Sequence, residues 1–256
     1  ASDLREALRN DGLALVYQPI FDAMTREIVG VEALLRWHRG NDEQIGPEEF
    51  IPVIESTELI HDVGSWVIDE ACHICKQWHD AGYDSLLISA NISAIELDQS
   101  QLLNHVECAL EETDLYPGTL ELEITESVLM QDAEASLKTL QALKEIGVKI
   151  AIDDFGTAYS SLNYLKRFPI DIIKIDKSIA NNVGQDLNSA TIVTTIISLA
   201  HNLGVTSLAE GVESKEQFDF LHDEKCDRAQ GYLFSKPISS EDLFYLLEQK
   251  KTGTLA

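Results

Sequence analysis

The feature of this chain that most constrains its fold is a series of acidic or amide residues, each placed at the end of a short apolar run. The series comprises Glu32, Asn91, Glu123, the pair Asp153-Asp154, and Glu210. Its members are separated by about 60, 30, 30 and 55 residues, close to one or two of the ~30-residue strand–helix units of a (β/α)8 barrel. If the runs are parallel strands of one barrel, these side chains converge at one mouth, where such barrels place their chemistry.

Strand-like and helix-like segments alternate along the chain, which favours a parallel sheet. The predicted strands are 14–19, 28–35, 86–92, 120–125, 149–153, 170–176, 206–209 and 230–234, and the predicted helices are 65–80, 99–112, 133–146, 189–203 and 215–223. The link 21–27 between the first two strands is too short for a crossover helix and predicts an antiparallel hairpin. We therefore expect one α/β domain over residues 1–256, a modified (β/α)8 TIM-type barrel with an irregular, antiparallel first strand.

Composition argues against several classes of protein. The formal net charge of −25 disfavours a nucleic-acid polymer as partner, because such binders present a basic face to phosphates. No apolar run approaches the ~20 residues of a membrane span, and we expect no signal peptide. We expect a cytoplasmic domain that makes no membrane contact itself, or the cytoplasmic part of a larger membrane-anchored protein. The start at Ala1, without Met, predicts a domain of a longer multidomain signalling protein.

The four cysteines predict reduced thiols rather than disulfides. Cys72 and Cys75 form a lone C-x-x-C in a helix-periodic segment, and no second pair completes a zinc site. Small buried side chains are therefore the expectation for this pair.

Carboxylates crowded at one barrel mouth raise each other's pKa values unless a cation compensates them. Oxygen ligands without His or Cys favour Mg2+ or Mn2+, or Ca2+ if the cavity is loose, over Zn2+. The adjacent Asp153 and Asp154 can share a site only where the strand ends and the chain turns, as residues 155–157 allow. Such a pair could serve two metals in the arrangement that hydrolyses phosphodiesters, or it could be a helix cap preceded by a buried Asp.

Lys174 and Asp176 stand two residues apart, on the same face of an aliphatic strand. Because lysine is almost never fully buried without a partner, the two could form an interior salt bridge. Alternatively, Lys174 could hold an attacking water and stabilise negative charge in the transition state. A third hypothesis, a lyase that uses Lys174 as a Schiff-base amine, needs a depressed pKa that neighbouring carboxylates oppose.

The chain resembles the EAL-domain family of cyclic dimeric GMP (cyclic di-GMP) phosphodiesterases. The resemblance runs from Tyr17-Gln18-Pro19 to Lys236-Pro237. The family's signature stands here as Glu32-Ala33-Leu34, followed by Leu35-Arg36-Trp37, and six further blocks follow in the family's order. These are Asn91-Ile92-Ser93, Glu123-Ile124-Thr125-Glu126-Ser127, Asp153-Asp154-Phe155-Gly156-Thr157, Lys174-Ile175-Asp176, Ala209-Glu210-Gly211-Val212-Glu213 and Gln230-Gly231-Tyr232. They extend over almost the whole chain, so a chance match is a poor explanation.

The resemblance implies a metal-dependent phosphodiesterase that hydrolyses cyclic di-GMP to linear pGpG and works as a homodimer. It implies two Mg2+ or Mn2+ ions, with Ca2+ as an inhibitory ion. The implied metal ligands are Glu32, Asn91, Glu123, Asp153, Asp154 and Glu210, and the implied catalytic set is Lys174, Glu210, Glu32 and Asp153. Lys174 would orient the hydrolytic water. The implied substrate contacts are Gln18, Leu35, Arg36, Asp176, Glu213 and Gln230.

Within this set, the resemblance gives some residues a narrower role. Arg36 would grip a substrate phosphate, and Gln230 would order water at the metals. Glu126, together with Thr125, would steady the loop after Asp154.

One departure from the family is Ala158, where Gly is usual. If that backbone needs a positive φ, Ala costs about 1 kcal/mol of strain. The departure leaves open an alternative, a receptor that binds cyclic di-GMP without cutting it. The presence of every implied ligand and of Lys174 favours the enzyme.

Overall fold

The computed structural model describes residues 4, 7–8, 12–39, 43–57, 59–97, 100–157, 162–183 and 186–251. Among them, the strands are β1 (Leu13–Asp22), β2 (Ile28–Arg39), β3 (Glu43–Ile45), β4 (Leu87–Asn91), β5 (Leu120–Thr125), β6 (Lys149–Phe155), β7 (Ile172–Ile175), β8 (Thr206–Ala209) and β9 (Arg228–Ala229). The helices are α1 (Pro47–Glu55), α2 (Leu59–Asp80), α3 (Ala94–Leu97), α4 (Ser100–Thr113), α5 (Glu126–Gln131), α6 (Ala133–Ile146), α7 (Leu162–Leu165), α8 (Lys177–Ala180), α9 (Leu187–Leu203), α10 (Lys215–Asp223) and α11 (Ser240–Lys251). Ala158 lies outside the described residues, so its effect stays a prediction.

Eight strands close into a barrel in the order β1-β9-β8-β7-β6-β5-β4-β2, and β2 pairs back with β1. The pairs from β2–β4 round to β8–β9 are parallel, whereas β1 is antiparallel to both β2 and β9. The short β3 extends β2 outside the ring. The expectation of a modified (β/α)8 barrel with an antiparallel first strand is confirmed.

A tight turn explains why β1 and β2 run antiparallel. The carboxylate oxygen Oδ1 of Asp22 accepts hydrogen bonds from the backbone nitrogens of Met24 at 2.9 Å and Thr25 at 2.7 Å. The nitrogen of Asp22 donates to the carbonyl of Glu27 at 2.9 Å. A connection this short can join only antiparallel strands, since a parallel crossover needs a dozen or more residues.

Side chains alternate between two environments along the parallel strands. On β5, Leu120, Leu122 and Ile124 are fully buried in the aliphatic core that the barrel shares with its helices. The alternating positions on the same strand, Glu121 and Glu123, face the barrel interior and are equally buried. This alternation directs carboxylates inward from a strand whose other face is purely apolar.

The helices on the outside of the barrel match the predicted ones closely. The predicted segment 65–80 lies within α2, and the segments 133–146 and 215–223 coincide with α6 and α10. The α6 and α9 helices end at Gly147 and Gly204, whose left-handed φ angles of 103° and 72° let their nitrogens bond the last carbonyls. No helix in the described part of the chain has both the length and the apolar character of a membrane span.

The cysteines are as expected. All four are free thiols, and Cys72 and Cys75 are fully buried in α2.

The last strand differs from its prediction. The prediction of a strand over 230–234 was wrong, because β9 ends at Ala229. Beyond it, the nitrogen of Val212 donates to the carbonyl of Gln230 at 3.0 Å, and the nitrogen of Leu233 donates to the carbonyl of Val212 at 2.9 Å. The chain therefore folds over the loop after β8 instead of continuing along the sheet.

Gly231 makes this crossing possible and provides a test of it. A Cβ at Gly231 would lie 2.2 Å from both the nitrogen and the oxygen of Val212. We expect Gly231→Ser to lower the free energy of unfolding by about 1–3 kcal/mol, because backbone atoms must move apart. Urea unfolding measures this. The matched control is Gly46→Ser, where an added Cβ meets nothing within 4 Å and Ser is a good helix N-cap. Equal midpoints for the two variants would contradict this close packing of Gly231 against Val212.

Candidate active site

Polar side chains gather at the carboxyl ends of the parallel strands, one step above an apolar layer of the barrel interior. That layer consists of Ile20, Ala151, Ile172 and Leu208. Gln18, Asp153, Lys174 and Glu210 each lie two residues nearer the mouth, so each side chain points to the same inner face one level higher. Strand register adds two further pairs at this level, with Gln18 opposite Glu32 and Asn91 beside Glu123.

Lys174 is the centre of this layer and is fully buried. Its Nζ lies 2.5 Å from Oε2 of Glu123 and 2.7 Å from Oε1 of Glu210. The same nitrogen is 3.4 Å from Oδ1 of Asp153 and 3.8 Å from Oε1 of Glu32. One ammonium therefore faces four carboxylates contributed by four different parts of the barrel.

Burial and mutual repulsion decide the protonation of these groups. Burial opposes the charge of Lys174, but the carboxylates around it outweigh burial and raise its pKa above the usual lysine value. Burial raises the pKa of Glu123 well above its usual value and that of Glu210 to about 8, although Lys174 acts in the opposite direction. The site is therefore short of positive charge, since one lysine does not compensate all the carboxylates.

Two amides orient Glu32. The Nδ2 of Asn91 donates to Oε1 of Glu32 at 3.0 Å, and the Nε2 of Gln230 donates to Oε2 at 2.7 Å. Despite its burial, Glu32 has a lowered pKa because Lys174 and these two hydrogen bonds stabilise the charged form. Gln18 completes this chain of amides. Its Oε1 accepts a hydrogen bond from Nε2 of Gln230 at 3.2 Å, and the Nε2 of Gln18 donates to the carbonyl of Ser235 at 3.2 Å.

Asp153 and Asp154 share the site through a β-bulge. Ile152 pairs with Ile173 and Phe155 pairs with Ile175, so two residues of β6 oppose one residue of β7. The strand thus continues to Phe155, beyond the turn expected at residues 155–157. The extra residue, Asp154, adopts a left-handed φ of 54°, and its nitrogen donates to Oδ1 of Asp153 at 2.9 Å. Asp is one of the few residue types that tolerate this conformation.

The donor set fits a hard divalent cation. Among the described residues, Asp153, Asp154 and Glu210 each offer a carboxylate oxygen within 4.8 Å of the others. Oε1 of Glu123 is buried and has no hydrogen-bond partner. Burial, together with the carboxylates of Asp153 and Asp176, raises the pKa of Asp154 to about 6. Oxygen donors with unmet charge and no His or Cys are what Mg2+, Mn2+ and Ca2+ prefer.

Glu126 holds the backbone just after this bulge, and Asp176 holds the start of the helix that follows the neighbouring strand β7. Oε2 of the buried Glu126 accepts a hydrogen bond from the nitrogen of Gly156 at 3.1 Å. Asp176 caps α8, accepting from the nitrogen of Ser178 at 2.9 Å and from its hydroxyl. The interior salt bridge considered for Lys174 therefore forms with other carboxylates and not with Asp176. Thr125 stands at the N-cap of α5, without a capping hydrogen bond from its side chain.

Two cavities adjoin the polar layer. The mouth cavity has a volume of about 280 Å³, and its walls include Gln18, Glu32, Asp153, Lys177, Glu210, Glu213, Gln230 and Tyr232. An apolar cavity of about 370 Å³ lies beside Asn91, and its walls include Leu35, Pro47, Ile51, Ile60, Val63 and Thr125. Arg36 lies at the rim and donates from Nη1 to the carbonyl of Leu35 at 2.9 Å. Sequence reasoning gave no role to Lys177, Tyr232 or the apolar wall supplied by α1 and α2.

Comparison with known proteins places these observations in a family. The model of the EAL domain matches residues 1–237. The bifunctional diguanylate cyclase/cyclic di-GMP phosphodiesterase MucR of Pseudomonas aeruginosa is 44% identical over 241 residues, 94% of this chain and 35% of MucR. The cyclic di-GMP phosphodiesterase NbdA of the same organism is 39% identical over 236 residues, 92% of this chain and 30% of NbdA. The chain thus spans about a third of the length of these curated relatives.

A solved structure agrees with the sequence relatives. The MucR phosphodiesterase in complex with c-di-GMP superposes with a TM-score of 0.92 at 43% identity, covering 94% of this chain and 98% of that chain. The barrel, the order of its motifs and the matched family model lead to one conclusion. The chain belongs to the EAL-domain family.

Proposed function

We propose that this domain hydrolyses cyclic di-GMP to linear pGpG in bacterial second-messenger signalling, with two Mg2+ or Mn2+ ions. The observation that carries the proposal is the buried Lys174 surrounded by four carboxylates at a barrel mouth. The names of the relatives MucR and NbdA, both phosphodiesterases of cyclic di-GMP, support the choice of substrate.

Different residues of the site have different roles in the proposed reaction. Those that would hold the metal ions are Glu32, Asn91, Glu123, Asp153, Asp154 and Glu210. When bound, such ions supply a nucleophilic water at neutral pH and neutralise charge on the phosphate. Lys174, kept charged by its carboxylates, orients the water and stabilises the negative charge that develops on the phosphoryl oxygens. Gln230 has a buried Oε1 without a partner, which can accept a hydrogen bond from that water.

Hydrolysis of one phosphodiester needs no reactant other than water. The water oxygen forms a bond to phosphorus, and the bond between phosphorus and the ribose 3′ oxygen breaks. The 3′ oxygen takes a proton, and the 5′ oxygen keeps the phosphate. The product is therefore the linear dinucleotide with a 5′-phosphate.

The two cavities suit the rest of the substrate. A purine base is flat and has apolar faces, and the apolar cavity beside Asn91 has room for one base against Leu35. Guanine presents adjacent N–H donors, and a carboxylate such as that of Glu213 in the mouth cavity can accept hydrogen bonds from them. Arg36, at the rim, can contact a phosphate through its guanidinium.

The structure disfavours the lyase hypothesis. A Schiff-base lysine must lose its proton to react, and the carboxylates around Lys174 raise its pKa. The receptor alternative uses the same contacts without turnover, and analysis of the products separates it from the enzyme.

Glu32→Ala tests the proposed function. We expect the variant to form no detectable pGpG, because it loses a metal ligand and the acceptor that orients Asn91 and Gln230. Wild type and variant are incubated with cyclic di-GMP and Mg2+ or Mn2+, and the products are separated by chromatography. Glu107→Ala, an exposed change on α4, is the control. Tight binding without product in the wild type would make the domain a receptor, and an active Glu32→Ala would overturn the site assignment.

Three further expectations stay predictions. They are that the domain forms a homodimer, that it works in the cytoplasm, and that it is one domain of a longer signalling protein. The length of the curated relatives supports the last of them.

A further inference from the structure

The proposed roles leave half of the substrate's charge without a partner. Cyclic di-GMP has two phosphodiester groups, each with one negative charge, and one of them is assigned to the metals and Arg36. The other would face a chain of net charge −25. Lys174 cannot serve it, because its ammonium is buried among four carboxylates.

Lys177 is the one Lys or Arg among the described residues that form the walls of the mouth cavity. It is exposed, and within the described part of the chain it forms no ion pair. Two exposed lysines elsewhere on the surface do have partners, since Lys215 pairs with Asp219 at 2.6 Å and Lys236 lies 5.6 Å from the ring centre of Tyr232. An unpaired ammonium at the wall of an acidic cavity is suited to bind an anionic ligand.

The backbone fixes where Lys177 starts. Gly211, in the loop after β8, has a φ of 65°, and a Cβ there would lie 2.5 Å from Cβ of Lys177. The loop backbone thus packs directly against the stem of the lysine. Because Glu210 precedes Gly211, the same loop positions a carboxylate of the polar layer and the base of this side chain.

The strand order places the two cations on opposite sides of the mouth. Arg36 is on β2, and Lys177 follows β7. In the closed ring of eight strands, β7 is four strands from β2 in either direction. The carboxylates of the polar layer lie between them.

We propose that Lys177 binds the second phosphodiester of cyclic di-GMP, the one that is not cut, across the mouth from Arg36. This inference rests on the proposed function. It makes Lys177 a residue that selects a cyclic dinucleotide over compounds with a single phosphodiester.

Steady-state kinetics on two substrates test the inference. Lys177→Ala is compared with wild type on cyclic di-GMP and on bis(p-nitrophenyl) phosphate, which has one phosphodiester. We expect KM for cyclic di-GMP to rise roughly 10- to 100-fold with a smaller change in kcat, as expected for the loss of a charge-assisted contact. The ratio of kcat/KM for the two substrates should fall by a similar factor. Lys177→Arg should restore most of the affinity, and Lys215→Ala is the exposed-lysine control.

Other outcomes would overturn the inference. Lys177→Ala with KM within twofold of wild type would show that the lysine does not contact substrate. An equal loss on both substrates would indicate a structural role. The dissociation constant for cyclic di-GMP, measured by calorimetry for the same variants, tests the inference about Lys177 separately from the proposed function. If the wild type binds but does not cut, the proposed function fails, and the dissociation constant of Lys177→Ala still decides the inference.

Discussion

Lys174→Met is expected to lower the rate of cyclic di-GMP hydrolysis by a factor of about 100 to 1000, the effect of removing one charged group from a transition state. Met is close to Lys in length and leaves the barrel interior filled. It removes the ammonium that lies 2.5 Å from Glu123 and 2.7 Å from Glu210. The variant should also be less stable without metal, by about 3–5 kcal/mol, because buried carboxylates lose their counter-charge. Divalent cations should recover part of that stability.

Two measurements and one control separate these effects. Product formation gives the rate, and chemical unfolding with and without Mn2+ gives the stability. Lys149→Met is the matched control, since Lys149 begins β6 at the opposite end of the barrel and does not contact the polar layer. A folded Lys174→Met that keeps most of its activity would show that Lys174 is only a structural counter-ion.

Glu123→Gln and Glu121→Gln form a second pair with very different expected outcomes. Both residues are on β5, face the same way and are 1% exposed. Each keeps one buried oxygen without a hydrogen-bond partner, but Glu123 contacts Lys174, whereas Glu121 lies one level deeper, 3.9 Å from Arg228. We expect Glu123→Gln to lower turnover at least about 100-fold and to weaken Mn2+ binding, because a neutral amide replaces a carboxyl group that a bound metal ion would hold in its charged form.

Glu121→Gln should change turnover very little. Burial raises the pKa of Glu121 to about 7, so its carboxyl is partly uncharged at neutral pH and Gln has the same shape. Turnover within about threefold of wild type is expected for a position away from the reacting atoms. Mn2+ titration and product analysis of both variants check the pair. Equal losses at positions 121 and 123 would mean that barrel packing, and not ligation at the mouth, controls the activity.

The polar layer could be predicted because strand ends and side-chain alternation are local properties. An apolar run followed by a carboxylate marks Asp153 and Glu210, and a spacing of two puts Lys174 and Asp176 on one face. The individual contacts of Lys174 could not be predicted in the same way. A barrel brings Glu123 and Glu210 to the same mouth, as expected, but which carboxylates reach Nζ depends on the register between distant strands.

Other misses have equally specific causes. The α1 helix was not predicted because it contains Pro47 and Pro52, which suppress the usual helix signal. The segment 230–234 has strand-like residues, but Tyr232 is 58% exposed. Its path is set by the contact between Gly231 and Val212, which local sequence does not encode. The β-bulge at Asp154 is likewise visible only in the pairing of β6 with β7.

Hydrolysis of cyclic di-GMP by the wild-type domain in water enriched in oxygen-18 tests the proposed reaction most directly. We expect pGpG with one heavy oxygen in its 5′-phosphate when Mg2+ or Mn2+ is present, and no product when a chelator removes the metal. Failure of the folded domain to form pGpG with either ion would contradict metal-dependent hydrolysis at this site, as would a product that carries no label.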